Sequence, residues 1–404
     1  MHDIVYELPK GFRCSGSTCG IKESGHPDLS LFVSDVPATA AGVFTKNRVV
    51  GAPVTVTRSR VPRGDARAVV INSGNANACT GQEGHQNALT MTKAVADLLQ
   101  CSAEQVLVCS TGIIGVQLPV EVILSHLPES ISALNSGADQ FRDAAVSMMT
   151  TDTFPKLAME DCRLPDGQAV RISGAAKGAA MIAPNMATML SVIMTDVRLT
   201  ETQAAELLAA AVSQTFNCIS VDRHTSTSDT VLLLANGAAV ERPAGEDDLA
   251  AIQRALTQVC EKLATDIIRD AEGADHFITV HVNGLETERA ATAIAREIAD
   301  SPLVKTAVAG ADPNWGRIVS AAGYAGVDFE ADYVSLLIND TLVYRDGMPV
   351  SFDETSLSAE LRANREVTIT LSIAGGPCSG SSAARFWTSD LTTEYVRLNS
   401  DYTT

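Results

Sequence analysis

Between residues 247 and 272, Leu249, Ile252, Leu256, Val259, Leu263 and Ile267 recur every three or four positions. That spacing predicts a long helix with one apolar face, ended by Gly273 as a natural C-cap. Shorter helical patterns cover 85–100 (Leu89, Met91, Val95, Leu98, Leu99), VEVILSHL after Pro119, 128–148 and 288–300. Thr200-Glu201-Thr202-Gln203 is a capping box that opens another helix, to about Gln214. Strands follow from unbroken apolar runs or from alternation: ARAVVINSG (66–74), EQVLVCSTGIIG (104–115), TMLSVIMTD bounded at Asp196, HFITVHVNG (276–284) and EVTITLSIAGG (366–376). SLFVSDV, AAGVFTKN and PVTVTRSRV read as short strands divided by Pro and Gly, and PLVKTAVAG after 300 continues a βαβ-like order. CISVDRHTSTSDTVLLLANG (218–237) reads as strand, loop, strand. Hairpins are predicted at Pro165-Asp166-Gly167 and at Asn339-Asp340. The alternation, without a dinucleotide-binding fingerprint, predicts an α/β layered sandwich whose central sheets are covered by helices. No repeat, low-complexity tract or linker interrupts it.

At 404 residues the chain has ample length for a core, and 46% hydrophobic with 19% charged residues suits a globular protein. Aromatics are only 4%, so aliphatic side chains and alanine must fill the interior. The net charge of −18 argues against binding nucleic acid or anionic membranes, while leaving room for a small anion at a local basic pocket. Nine cysteines without a CxxC pair, and seven histidines without HxxxH, read as free thiols with no metal site. The opening MHDIVYELPKGF lacks a signal-peptide pattern and no long apolar run appears, so the expected location is cytoplasmic.

The candidate chemistry centres on KGAAMIAPNMATML (177–190). The turn pair Pro184-Asn185 feeds Thr188 into the apolar run that follows. From spacing alone the plain reading is a strand-start threonine. The alternative is a threonine hydroxyl that attacks the Ala187 carbonyl in a strained turn, shifts the acyl group from N to O and lets water cut the chain. The freed α-amine, with a pKa of about 8, could then serve as base for the hydroxyl on its own residue. Lys177 is the sole cation between Arg171 and Arg198; it either snorkels to solvent or is held for an anionic group. STGIIG (110–115) and SGNANACTGQEG end strands in small-residue loops, ordinary turns on their own, though backbone N–H groups there could meet an anion. Glu272 falls at the negative end of the long helix, where a carboxylate is disfavoured, a mild functional hint.

The segment 177–190 resembles the self-cleavage segment of the glutamate N-acetyltransferase/ornithine acetyltransferase family, the ArgJ type. So do VPATAAGVFTKNRVVGAPV (36–54), VINSGNANACTG (70–81), STGIIG, MTTDTFPK (149–156), VDRHTSTSDTV (221–231), GADPNWGR (310–317) and EYVRLNSDYTT (394–404), almost end to end and in family order. The resemblance implies an N-terminal-nucleophile fold cut at Ala187-Thr188 into a 1–187 alpha chain and a 188–404 beta chain, packed as one unit and paired as a heterotetramer of two alpha and two beta chains. It implies Thr188 as nucleophile and an oxyanion hole from Thr111 and Gly112. It places Lys177, Glu272, Asn399, Thr404 and Thr150, or its neighbour Thr151, around substrate. Lys177 would take a carboxylate and Glu272 an ammonium. The implied reaction moves acetyl from N2-acetylornithine to glutamate by ping-pong kinetics, with no cofactor and with acetyl-CoA as a possible second donor. The alternatives are an N-terminal-nucleophile amidohydrolase that releases the acyl group to water, and an inactive amino-acid-binding regulator. The chain departs from the family at Arg223-His224 and at Asp275-His276, where Gly-acid and Thr-Lys pairs are usual. Asp312 and Arg317 could be a structural pair.

Overall fold

A computed structural model describes residues 5–183 and 189–401. In chain order the elements are β1 (Phe12–Ser17), β2 (Leu29–Phe44), α1 (Ala52–Arg58), β3 (Arg63–Asn75), α2 (Gly81–Leu99), β4 (Val106–Ile113), α3 (Val120–Ser132), α4 (Ala138–Met148), β5 (Lys156–Arg163), β6 (Ala169–Lys177), β7 (Leu190–Arg198), α5 (Glu201–Gln214), β8 (Ile219–Ser220), β9 (Thr230–Pro243) and α6 (Glu246–Arg269). Then come β10 (Phe277–Leu285), α7 (Glu288–Asp300), α8 (Pro302–Ala309), α9 (Trp315–Gly323), β11 (Val334–Ile338), β12 (Thr341–Arg345), β13 (Met348–Pro349), α10 (Glu354–Ala363), β14 (Glu366–Ile373), β15 (Ser379–Ser389) and α11 (Thr393–Asp401). The chain divides into two compact units. One runs to Asn217 and resumes over His224–Ile267; the other takes Cys218–Arg223 and continues from Ile268.

The first unit holds a mixed sheet in the order β4-β3-β2-β9-β7-β6-β5, with β1 beside β2. Alternation sorts its side chains between two cores. Val69 and Ile71 of β3 join Phe141, Ala144 and Met148 of α4 on one face. Ala68 and Val70 join Met91 and Val95 of α2 with Ile123 and Leu127 of α3 on the other. The long helix α6 presses Val259 and Leu263 on Gly174 of β6, where a Cβ would come within 2.9 Å of the Leu263 side chain. The second unit is built on the order β13-β12-β11-β14-β10-β15-β8. Both units are therefore α/β, with helix-covered central sheets.

Several local expectations are corrected. PVTVTRSRV is helical over Ala52–Arg58, because Pro53 presets the first turn and burial of Val54, Val56 and Thr57 overrides β propensity. Its Thr57 hydroxyl donates to the Val108 carbonyl and accepts the Val108 N–H, satisfying the open edge of β4. PLVKTAVA is also a helix, opened by Ser301 with Pro302 in its first turn. The strands expected on either side of Pro37 are one strand, β2; the proline sits where its register against β3 shifts, so its missing N–H breaks no ladder bond. The tail 393–401, frayed in the plain reading, is helix α11. β7 runs past Asp196 to Arg198, since the Asp196 carboxylate takes the N–H groups of Lys10 (3.0 Å) and Arg171 (2.8 Å). Among the described residues the expected capping box, both hairpins and β10 appear as read.

Candidate active site

Backbone register builds the site in the first unit. Lys177, the last residue of β6, pairs with Leu190, the first of β7, and Leu190 pairs with Thr230, the first of β9. The segment carrying Ala187 and Thr188 leads into that row; both residues, the Pro184-Asn185 turn and Thr404 lie outside the described residues. Lys177 is 2% exposed, so it does not snorkel. Its Nζ donates to the Thr150 hydroxyl at 2.8 Å and to the Thr111 hydroxyl at 3.3 Å. An ammonium offers only donors, so each hydroxyl receives on its oxygen and keeps its own hydrogen to give elsewhere. Thr150, rather than Thr151, is the member of the pair that joins Lys177.

Asp152, which no sequence signal singled out, holds this group together. It is fully enclosed, with one oxygen 2.6 Å from Lys156 Nζ and the other 4.0 Å from Lys177 Nζ. It also accepts N–H groups from Gly178 (2.6 Å) and Thr150 (3.0 Å). Burial alone would raise its carboxyl, but Lys156, Lys177 and the Gly178 N–H outweigh that and hold it well below the ordinary carboxylate range. A second unanticipated cation, Lys22, donates to the carbonyls of Met149 (2.7 Å) and Pro27 (2.6 Å), fixing the residue before Thr150. Burial pushes Lys22 down to about 8. Asp152 and Lys156 lie four apart within MTTDTFPK, a spacing from which their pairing could have been suspected; Lys22 offered no such clue.

Gly112 has φ +133 and stands so close to β3 that a Cβ would meet the Gly74 carbonyl carbon at 2.3 Å. Only glycine fits, which keeps the chain after Thr111 pressed on its neighbour. Side chains of the SGNANACTG loop and of Ser110 support this strand end. Ser110 Oγ donates to Asn72 Oδ1 (2.5 Å), Asn72 Nδ2 to the Asn75 carbonyl (2.8 Å), and Thr80 Oγ1 to Asn77 Oδ1 (2.7 Å). Thr45 and Asn47 of the FTKN stretch fix the 221–231 loop in the same way, donating to the carbonyls of Ser226 (2.7 Å) and Thr225 (3.0 Å).

In the second unit Glu272 does not sit on the last turn of α6. The helix ends at Arg269 and Glu272 lies in the turn beyond it, so the helix dipole gives no reason to single it out. It accepts instead from Asn399 Nδ2 of α11 at 3.0 Å. The two segments are stitched together: Thr392 Oγ1 donates to the Gly273 carbonyl (2.5 Å), and Asp390 Oδ1 accepts the N–H groups of Asp275 (3.0 Å) and His276 (3.1 Å). His276, at the departure from the family pattern, is buried with its ring between Asp390 Oδ2 (2.7 Å) and the Leu361 carbonyl (3.0 Å). Asp312 and Arg317 do not pair: Asn314 donates to Asp312, and Arg317 to the Leu303 carbonyl. Arg223 reaches Glu297 at 3.4 Å. No cluster of His, Cys, Asp and Glu suited to a metal occurs among the described residues, and no helix there is long and apolar enough to cross a membrane.

Hydroxyls set around one buried ammonium, next to a glycine-bound strand end, mark this corner of the first unit as the candidate site. The family model described as the ArgJ family matches residues 13–404. An arginine biosynthesis bifunctional protein ArgJ from Rhodopirellula baltica is 48% identical, covering 98% of this chain and 96% of its own. One from Caldanaerobacter subterraneus is 42% identical over 100% and 99%. The crystal structure of an ArgJ protein from Bacillus halodurans is 34% identical with a TM-score of 0.48, covering 51% of this chain and 96% of its own. The chain belongs to the ArgJ family.

Proposed function

We propose that this enzyme of arginine biosynthesis moves the acetyl group of N2-acetylornithine to glutamate through an acetyl-enzyme on Thr188. The chain is first cut at Ala187-Thr188, and the freed α-amine acts as base for the Thr188 hydroxyl. The hydroxyl attacks the acetyl carbonyl, and the tetrahedral oxyanion is met by the Thr111 hydroxyl and the Gly112 backbone. Ornithine leaves with the proton. Glutamate then enters and takes the acetyl group by the reverse sequence. Lys177 pairs with a substrate carboxylate, Thr150 lends its hydroxyl, Glu272 addresses the amino acid's ammonium, and Asn399 and Thr404 belong to the substrate pocket. Two alpha and two beta chains form the assembly, in the cytoplasm, and acetyl-CoA is a candidate second donor.

The observation that carries this reading is Lys177, a buried ammonium bonded to the hydroxyls of both Thr111 and Thr150. A hydroxyl relieved of accepting from water is free to donate to developing negative charge. Purified enzyme given N2-acetylornithine and glutamate should form N-acetylglutamate and ornithine in equal amounts, with parallel double-reciprocal lines. Acetate in place of N-acetylglutamate would make it a hydrolase, and intersecting lines would remove the acetyl-enzyme. Glutamate with acetyl-CoA alone tests the second donor.

A further inference from the structure

Thr150 lies between α4 and β5, outside any helix or strand. Its hydroxyl receives from Lys177 Nζ at 2.8 Å, and its N–H donates to Asp152 Oδ2 at 3.0 Å. A third hold comes from Lys22, whose Nζ donates to the carbonyl of Met149, one residue earlier, at 2.7 Å. The same ammonium donates to the Pro27 carbonyl of its own loop at 2.6 Å.

That loop, between β1 and β2, is closed on a carboxylate. Asp28 is fully buried and accepts four consecutive main-chain N–H groups, from Cys19 (2.6 Å), Gly20 (3.1 Å), Ile21 (2.6 Å) and Lys22 (3.1 Å). Successive N–H groups turned inward make such an anion-sized hollow, and here the chain fills it with its own acid. The Asp28 carbonyl accepts the Ser73 N–H at 2.9 Å, which seats the loop on the end of β3. There Ile21 and the stem of Lys22 lie over Gly74, where a Cβ would come within 3.0 Å of both. Gly74 is the residue against which Gly112 is pressed. One loop therefore touches the chain on both sides of Lys177. It meets the β3–β4 end that carries Thr111 and Gly112, and it meets the segment that carries Thr150.

The charge on Lys22 is what makes the second contact. A methionine there would cover Gly74 as well, without the cost of partly drying an ammonium. Asp28 attracts that ammonium, but its oxygens are occupied by main-chain N–H groups. The Nζ hydrogens go to carbonyls instead, and one of those carbonyls belongs to a segment 127 residues away. We infer that Lys22 is a positioning residue for acyl transfer: by joining the Met149 carbonyl to the loop seated on Gly74, it sets the Thr150 hydroxyl relative to Thr111 across Lys177. The inference rests on the reaction proposed above. Lys22 makes and breaks no bond in it.

A double-mutant cycle on purified enzyme, with N2-acetylornithine and glutamate, tests this. Lys22→Met keeps the stem over Gly74 and removes both donations. Thr150→Val removes the hydroxyl that the tie places. Each alone should lower kcat about 10- to 100-fold, in protein that still shows a cooperative thermal transition. The double variant should lie within about twofold of Thr150→Val, because the tie then has no hydroxyl left to place. Losses that multiply, as independent defects do, would overturn the inference. Wild-type kcat in folded Lys22→Met, or in Thr150→Val, would overturn it as well. Lys22→Gln, one atom shorter, takes the place of Lys22→Met in the same cycle if the Met variant does not fold, and the same outcomes decide. Wild-type enzyme that forms no N-acetylglutamate would instead reject the reaction on which the inference stands.

Discussion

Lys177 in the first unit and Glu272 in the second were both expected to meet a charged part of an amino acid, yet they are held in opposite ways. Lys177 is buried and anchored by two hydroxyls, with Asp152 and Lys156 as further charges in a dry network. Glu272 is half-buried in a turn, and its partner Asn399 lies exposed on a terminal helix. A buried charge network is pre-arranged, and little reorganisation remains when charge develops in a reaction. A solvated carboxylate bonded to one amide is screened and adjustable, and its effect on energy is small. The first arrangement therefore suits transition-state stabilisation and the second suits binding one end of a substrate. Substitutions in the two places should differ in kind, with the buried network moving kcat and stability and the exposed pair moving KM.

The largest expected effect is that of Thr188→Ala, which should abolish both cleavage and transfer; retained transfer would remove Thr188 as nucleophile. Lys177→Met comes next. It should fold, because Asp152 keeps Lys156, and should lower kcat about 100- to 1,000-fold in steady-state assays. Asp152→Asn leaves Lys156 without its carboxylate and should cost about 3–5 kcal/mol in urea unfolding. The same substitution should alter acid sensitivity. Because the folded Asp152 carboxyl is held below its unfolded value, its stabilisation is complete above about pH 4 and is lost as pH falls through the folded value. Wild-type stability should therefore fall below about pH 4, with a shallower fall in the Asn variant. Glu272→Gln should raise KM for acetylornithine about five- to tenfold with kcat within about twofold, and Asn399→Ala should change KM by about twofold. A large kcat loss in either of the last two would erase the contrast between the units.

What the sequence made readable was local. The face of α6, the Thr200 capping box, and the turns at Pro165-Asp166-Gly167 and Asn339-Asp340 depend on residues a few positions apart. Two segments rich in β-branched residues or valine, Ala52–Arg58 and Pro302–Ala309, became helices because packing and an early proline outweighed intrinsic preference. β15 had no period to reveal it: SGSSAAR is small and polar, and pairing with β10 makes it a strand. The site followed the same rule. Lys177 stood out as a lone cation in an apolar stretch, whereas the places of Asp152 and Lys22 in the network come from partners 25 and 127 residues away. Glu272 was picked out by its expected place at a helix end, which it does not occupy, and its bond to Asn399 spans 127 residues.

Intact-mass analysis of the mature protein with N-terminal sequencing tests the central claim most directly. Self-cleavage predicts two fragments, one of 187 residues and one of 217 that begins at Thr188. A single 42.5 kDa chain in fully active material would contradict it.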